Sequence, residues 1–350
     1  MPSDPSSYAT PSKVQLLSNG RYGVALNAAG SGYSQWNGMA VTRWREDTVG
    51  DAWGSYILLR DEDSGEIWST SCQPLGDSAG AYASTLCSDH VLITHCRGAL
   101  TSELKVAVVS DRDIECRHVT LSNTGDGLRD ITLTSYAELI LGSAAGDASH
   151  PAFSKLFVVT EWLDEEGIVL ATRRRRSNSE QEIWAAHRVV IDRAADHGYA
   201  CETDRLAFLG RGRTLRNAAG MQPGNALSST VGCVLDPIFS VRGRLKLKPG
   251  ESAQATFWTA VADSREAVLA LMRSLDAGDA SDKAFAGAKQ WQREPTRHLA
   301  SARPTQTCMT RWSVLCFTPM PSGGDRPMHS GARKAVHPRF GAAVFLAIVP

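Results

Sequence analysis

At 350 residues, with 37 Lys+Arg against 37 Asp+Glu, the chain has a formal net charge of zero, which removes any global pull toward nucleic acid or anionic lipid. Its length allows a large buried core, in one big all-β domain or two smaller ones. The eight cysteines, at positions 72, 87, 96, 116, 201, 233, 308 and 316, include no CxxC pair, which argues against a zinc site or disulfide scaffold and for reduced thiols in a cytoplasmic setting.

Residues 1–12, rich in Pro and Ser, lack the basic-then-apolar order of a signal peptide and read as a disordered lead-in. Short apolar runs then follow, over 14–17 and 22–27, broken by Asn19-Gly20 in the manner of a hairpin turn. Residues 28–38 read as a glycine-rich loop carrying Tyr33 and Trp36. Strands are predicted over 39–44 and 55–61, and the Asp63-Ser64-Gly65 turn folds Leu58 back toward Trp68, which alternation assigns to the core.

Further strands are predicted over 91–96, 104–109, 114–122, 130–141, 156–161, 168–173, 183–191, 229–247 and 252–261. Strand after strand with turn clusters between them, and almost no helical period, predicts a large antiparallel β super-sandwich over 13–262. A change of period follows. Asp263 or Ser264 is a candidate N-cap before Val268, Leu271, Met272 and Leu275 at helical spacing, and a second helix is predicted over 281–293. Residues 263–294 therefore form a short C-terminal helical linker, and 295–350 an irregular tail without either period. The apolar run FGAAVFLAIVP in that tail has 11 residues, too few to span a bilayer.

The acidic residues Asp61, Glu62, Asp63 and Glu66 are read as solvated residues of a hairpin tip rather than a glycosidic acid/base pair. The four arginines from Arg173 to Arg176 read as a solvated strand end, since a nucleic-acid surface needs interleaved aromatics. Histidines 90, 95, 118, 150, 187, 197 and 298 show no metal-ligand spacing such as HExxH, and no GxSxG elbow appears. Arg211 and Arg213, separated by glycine, suit either a polar-ligand loop or an ordinary basic one. Tyr33, Trp36 and Trp53 are candidates for stacking on a sugar, whose C–H face packs on a ring while its hydroxyls take polar partners.

The strings GSGYSQW, VTRWRED, WGSYILLRDEDSGEIWSTSCQPLG, AFLGRGRTLRN and TVGCVLDPIFSVR together resemble the N-terminal super-sandwich domain of glycoside hydrolase family 94, the cellobiose-phosphorylase-like enzymes. Their wording is most similar to the phosphorylase-like C-terminal region of cyclic β-1,2-glucan synthases. The resemblance runs from about residue 14 to about residue 298. It implies a helical linker and an (α/α)6 barrel after the sandwich, with the general-acid Asp and the phosphate-binding residues in the barrel. The absence of barrel sequence after 298 leads to the expectation of a truncated or frame-shifted reading of a longer gene.

The resemblance thus implies a non-catalytic, carbohydrate-contacting domain with no catalytic or metal residue of its own. Inorganic phosphate would be a co-substrate of the parent enzyme only. Implied partners are β-glucan, the missing barrel and a second copy in a homodimer, in a cytoplasmic setting beside an inner-membrane parent synthase. The expected sugar-facing residues are Tyr33, Trp36, Arg43 and Arg45, with Trp53, Arg211 and Arg213 in support. A free-standing glycosidase or phosphorylase acting on β-glucan, and a non-functional fragment, are the alternatives.

Overall fold

The computed structural model describes residues 13–293 apart from 46, 48, 77–79, 178–179, 193–197 and 277, so the expected lead-in and the expected tail lie outside the described residues. Among the described residues the chain forms seventeen strands and five short or medium helices, in two antiparallel sheets. This is the super-sandwich that the alternating runs predict. No helix among the described residues is long and apolar enough to cross a membrane.

The first strands are β1 (Val14–Ser18), β2 (Tyr22–Asn27), β3 (Gly32–Trp36), β4 (Met39–Thr42), β5 (Tyr56–Asp61) and β6 (Ile67–Ser69). β7 (Tyr82–Leu86), β8 (Val91–Arg97), β9 (Leu100–Val108) and β10 (Ile114–Asn123) follow as hairpins, before the long β11 (Arg129–Gly142). Helices α1 (Ala144–Ser149) and α2 (Pro151–Lys155) then lead into β12 (Val158–Leu163), β13 (Ile168–Arg173) and β14 (Trp184–Ile191). β15 (Ala200–Asp204), α3 (Arg205–Leu209), β16 (Pro237–Leu247) and β17 (Ser252–Ala262) complete the sheets, and α4 (Arg265–Arg273) and α5 (Ala280–Arg293) end the described chain.

One sheet runs β1-β2-β3-β4-β11-β16-β15, with β5 and β6 attached through β11. β11 is long enough to pair β5 along residues 131–136 and β4 at Leu139 and Gly142, while its other edge carries β16. The second sheet runs β12-β13-β14-β17-β10-β9-β8-β7.

Three strands, β3, β7 and β15, lie outside the predicted runs. β3 falls within 28–38, the stretch expected as a glycine-rich loop, and its inward positions include a serine. Ser34 is buried and its hydroxyl lies 3.2 Å from that of Thr42, so the apolar alternation is broken while the pairing is not. The hairpin signal was present in Asn37-Gly38, whose φ values of 47° and 77° make the two-residue turn between Trp36 and Met39, the geometry that matches strand twist. Residues 229–236, expected as strand, contribute only the bridge from Gly232 to Thr160, and the sheet resumes at Pro237, a strand-first position that needs no N–H.

Gly32 is required where β3 meets β2, because a Cβ there would stand 1.9 Å from the Ala25 carbonyl oxygen. Gly32→Ala is expected to lower stability by about 1–3 kcal/mol in urea unfolding. An unchanged midpoint would show that the two strands separate at no cost.

Apolar side chains such as Leu26, Trp68, Val106, Leu133, Phe239 and Phe257 fill the space between the sheets. The outer face of the second sheet is roofed by α4 and α5, whose Val268, Leu269, Met272 and Ala284 cover Ile114, Leu170 and Trp258. Ser264 is the N-cap, its hydroxyl accepting from the Ala267 N–H. The outer face of the first sheet is covered by α3 and the loop after it, with Phe208, Met221 and Leu227 on Tyr56, Leu58 and Ile238. That cover explains why every residue of β5 is buried, as expected of a strand packed on both faces.

Two acidic residues of the hairpin tip depart from expectation. Glu62 is half-buried and accepts from Arg60 Nε at 2.8 Å. Asp61 is buried, accepting from the Asp63 and Ser64 N–H groups and pairing with Arg129 at 3.1 Å, whereas Asp63 and Glu66 are exposed.

Candidate functional site

The chain leaves β4 at Thr42 and immediately places Arg43, whose N–H still pairs with the Glu138 carbonyl of β11 at 2.8 Å. Its side chain is therefore directed into the protein. The guanidinium holds Asp147 of α1 through both oxygens, at 2.9 and 2.8 Å, Glu138 at 2.8 Å and Asp236 at 3.3 Å. Arg205 pairs with Glu138 at 2.7 Å and Lys155 with Asp236 at 2.7 Å. Burial alone depresses the guanidinium's pKa, and the hydrogen bonds and charges of Asp147 and Glu138 more than reverse this, so Arg43 is held above its ordinary value. Arg43 is 2% exposed, and its expected sugar-facing position is corrected to that of a buried hub tying β4, β11, α1 and the residue-236 loop.

Trp36 needs the same correction. In β3, Tyr33 and Gln35 alternate outward while Ser34 and Trp36 point inward, and Trp36 packs in the inter-sheet core with its indole N–H donating to Asp113 at 2.8 Å.

The other expected residues reach the surface. A cleft of about 400 Å3 opens between Asp47, Gly50, Ala52 and Trp53, the cis Gln73–Pro74 bond, the end of β11 and the segment after α3, with Trp53, Glu138, Arg205, Arg213 and Arg216 among its walls. Trp53 is half-buried in this wall, and the guanidinium of the partly exposed Arg45 lies 5.7 Å from its ring centroid, within cation–π range. Arg213 is exposed on the opposite segment, its Nη1 donating to the Asn217 carbonyl at 3.4 Å. Arg211 is exposed but does not line the cleft. Tyr33 belongs to an adjoining hollow of about 350 Å3, where its ring meets Trp44 at 5.7 Å. Asp47 lines both spaces, and its carboxylate is held below the usual range by hydrogen bonds from the Gly50 and Val49 N–H groups.

Trp44, Arg205 and Glu138 were not singled out from sequence. Trp44 falls in the strand predicted over 39–44, but β4 stops at Thr42, and two residues later the indole is 44% exposed. Glu138, in the otherwise apolar AELIL, did carry a signal, because a carboxylate in a buried strand demands a cation.

Both Glu138 oxygens are engaged, Oε1 by Arg205 and the Tyr136 hydroxyl and Oε2 by Arg43. Asp47 Oδ1 accepts two backbone N–H groups. The cleft therefore offers an aromatic plate, guanidinium forks and anchored carboxylates, a lining suited to holding a polyhydroxylated ligand.

The family model of the glycosyl hydrolase 94 supersandwich domain matches residues 4–277. The chain is 41% identical over 253 residues to the cyclic beta-(1,2)-glucan synthase NdvB of Rhizobium meliloti (strain 1021), covering 72% of this chain and 9% of that protein. It is 27% identical over 224 residues to a solabiose phosphorylase of Paenibacillus borealis, covering 63% of this chain and 27% of that protein. Among solved structures, a bacterial glucoamylase complexed with acarbose aligns with a TM-score of 0.46 at 6% identity, over 81% of this chain and 39% of that one. The chain thus spans less than a tenth of the first relative and about a quarter of the second.

Proposed function

The chain belongs to the glycosyl hydrolase 94 supersandwich family, and from that membership we propose that it is the carbohydrate-contacting, non-catalytic domain of a cyclic β-1,2-glucan synthase or related glycoside phosphorylase. The observation that carries the reading is the Trp53 ring, flanked by Arg45 at 5.7 Å, in the wall of a cleft of about 400 Å3. A glucose C–H face stacks on the indole, while Arg213 and Asp47 take the hydroxyls. The engagement of Glu138 and Asp47 in ion pairs and turn hydrogen bonds supports a binding role rather than acid/base chemistry.

The parent reaction, attack of inorganic phosphate on a β-glucoside, belongs on this reading to an (α/α)6 barrel beside the sandwich. Support for such a neighbour comes from Phe153, Leu206 and Leu235, which stand 53%, 56% and 73% exposed and lie one or two residues from members of the Arg43 network. A second copy in a dimer belongs to the same proposal. So does a cytoplasmic setting, in keeping with the free thiols of Cys87, Cys96, Cys116, Cys201 and Cys233.

Titrating the full chain with linear β-1,2-glucooligosaccharides, followed by calorimetry, tests the reading. Trp53→Ala is expected to weaken binding about tenfold and Arg213→Ala to weaken it less. Unaltered affinity in Trp53→Ala, or no binding by the native chain, would sink the cleft assignment. Incubation with glucan and phosphate is expected to release no sugar phosphate, and release would overturn the non-catalytic role.

A further inference from the structure

The sequence shows no conventional metal-ligand spacing, yet the fold brings three donor residues together at the tip of the β7–β8 hairpin. The ladder runs to Leu86 opposite Val91, and the Cys87 N–H donates to the His90 carbonyl at 2.9 Å. Cys87 and His90 thus continue the pairing and share a face, with Ser88 and Asp89 as the turn between them. One donor atom each from Cys87, Asp89 and His90 lies within 4.8 Å of the others. Asp89 Oδ1 is 3.1 Å from His90 Nδ1.

We propose that this hairpin tip is a binding site for a zinc-class divalent cation, held by Cys87, Asp89 and His90. Thiolate, imidazole and carboxylate together favour zinc and its neighbours over magnesium or calcium. Tetrahedral zinc bonds place neighbouring donors about 3.3–3.8 Å apart, which these side chains reach by small χ rotations of a turn. The entering cation replaces the His90–Asp89 contact with bonds to itself, and the Cys87 thiol releases its proton to solvent.

The three side chains are half-buried, sheltered enough to hold an ion and open enough to admit one. Ser88 and Asp89 face Trp291 and Gln292 of α5 across a small recess, where water completes the coordination. β7 is the edge of its sheet, so the ion would pin the outermost hairpin. The site is independent of the sugar cleft.

Cobalt(II) added to the full 350-residue chain tests this directly. The expected result is a thiolate-to-cobalt charge-transfer band saturating at one equivalent and erased by zinc(II). Cys87→Ser abolishes the band. Asp89→Asn and His90→Gln, conservative changes at a surface turn, weaken binding about tenfold or more, while Cys233→Ser leaves it unchanged. A native chain without the band, a band that survives in Cys87→Ser, or Asp89→Asn and His90→Gln chains that bind cobalt as the native chain does would overturn the proposal. Circular dichroism of each variant separates loss of a ligand from loss of fold.

Discussion

Arg43→Met is expected to lower the unfolding free energy by about 3–5 kcal/mol, in urea titrations at neutral pH. The guanidinium side chain is 1% exposed and its partners Glu138 and Asp147 are 8% and 4% exposed, so removing the cation leaves carboxylates in a place water does not reach. The loss is unequal among them. Glu138 keeps Arg205 at 2.7 Å and Asp236 keeps Lys155 at 2.7 Å, whereas Asp147 retains only the longer 3.6 Å contact to Arg45. Most of the cost therefore falls on Asp147, and Arg43→Met combined with Asp147→Asn should recover part of it. Strict additivity of the two changes, or a single-variant loss under about 1 kcal/mol, would mean that the network is worth no more than surface ion pairs.

The second large effect is a dependence on pH that originates between the sheets. His187 of β14 stacks between Phe239 at 5.4 Å and Phe257 at 6.2 Å, with Nε2 2.8 Å from the Ser135 hydroxyl and Nδ1 2.9 Å from that of Thr259. The hydroxyls can donate to one ring nitrogen and accept from the other, which satisfies a neutral imidazole. Burial, aided by the charge of Arg117, pushes its pKa down to about 3.

In the unfolded chain an ordinary imidazole takes its proton near pH 6.5. The stabilisation from a neutral His187 is thus fully present above about pH 6.5, and falls by about 1.4 kcal/mol for each unit of acidification below that. By pH ~3 the loss reaches about 4–5 kcal/mol. His187→Gln is expected to remove this slope while keeping polar contacts to Ser135 and Thr259. Unfolding curves of the native and variant chains, compared between about pH 6 and pH 4, provide the test, and parallel pH dependences would rule out His187 as the source.

Local chemistry made most of the architecture legible. Alternation located β8, β10, β13 and β17 to within about two residues, because each strand buries one continuous apolar face and is bounded by turn residues. The helical spacing of Val268 and Met272 likewise marked the side of α4 that roofs the second sheet, and Leu275, just past the helix, joins the same cluster. The wording of the longer motifs carried the family. β7 escaped because YASTL has no apolar stripe, its residues being at best half-buried, and β15 because ACETD buries a glutamate whose oxygens serve backbone N–H groups and Ser228.

Residue pattern and turn chemistry alone specify an antiparallel sandwich closed by helices, with an N-terminal part dense in arginine and tryptophan. Which of those residues meet solvent was decided only in three dimensions. Arg43 and Arg45 are two positions apart in the same string, yet one is a buried hub and the other lies over the Trp53 ring. The difference comes from Glu138, Asp147 and Asp236, which lie 95, 104 and 193 residues away along the chain. A charge enters a core only where opposite charges are already waiting. Nothing within a strand's own period records partners that distant, and so the wall of the cleft became visible only when β11, α1 and α3 were packed together.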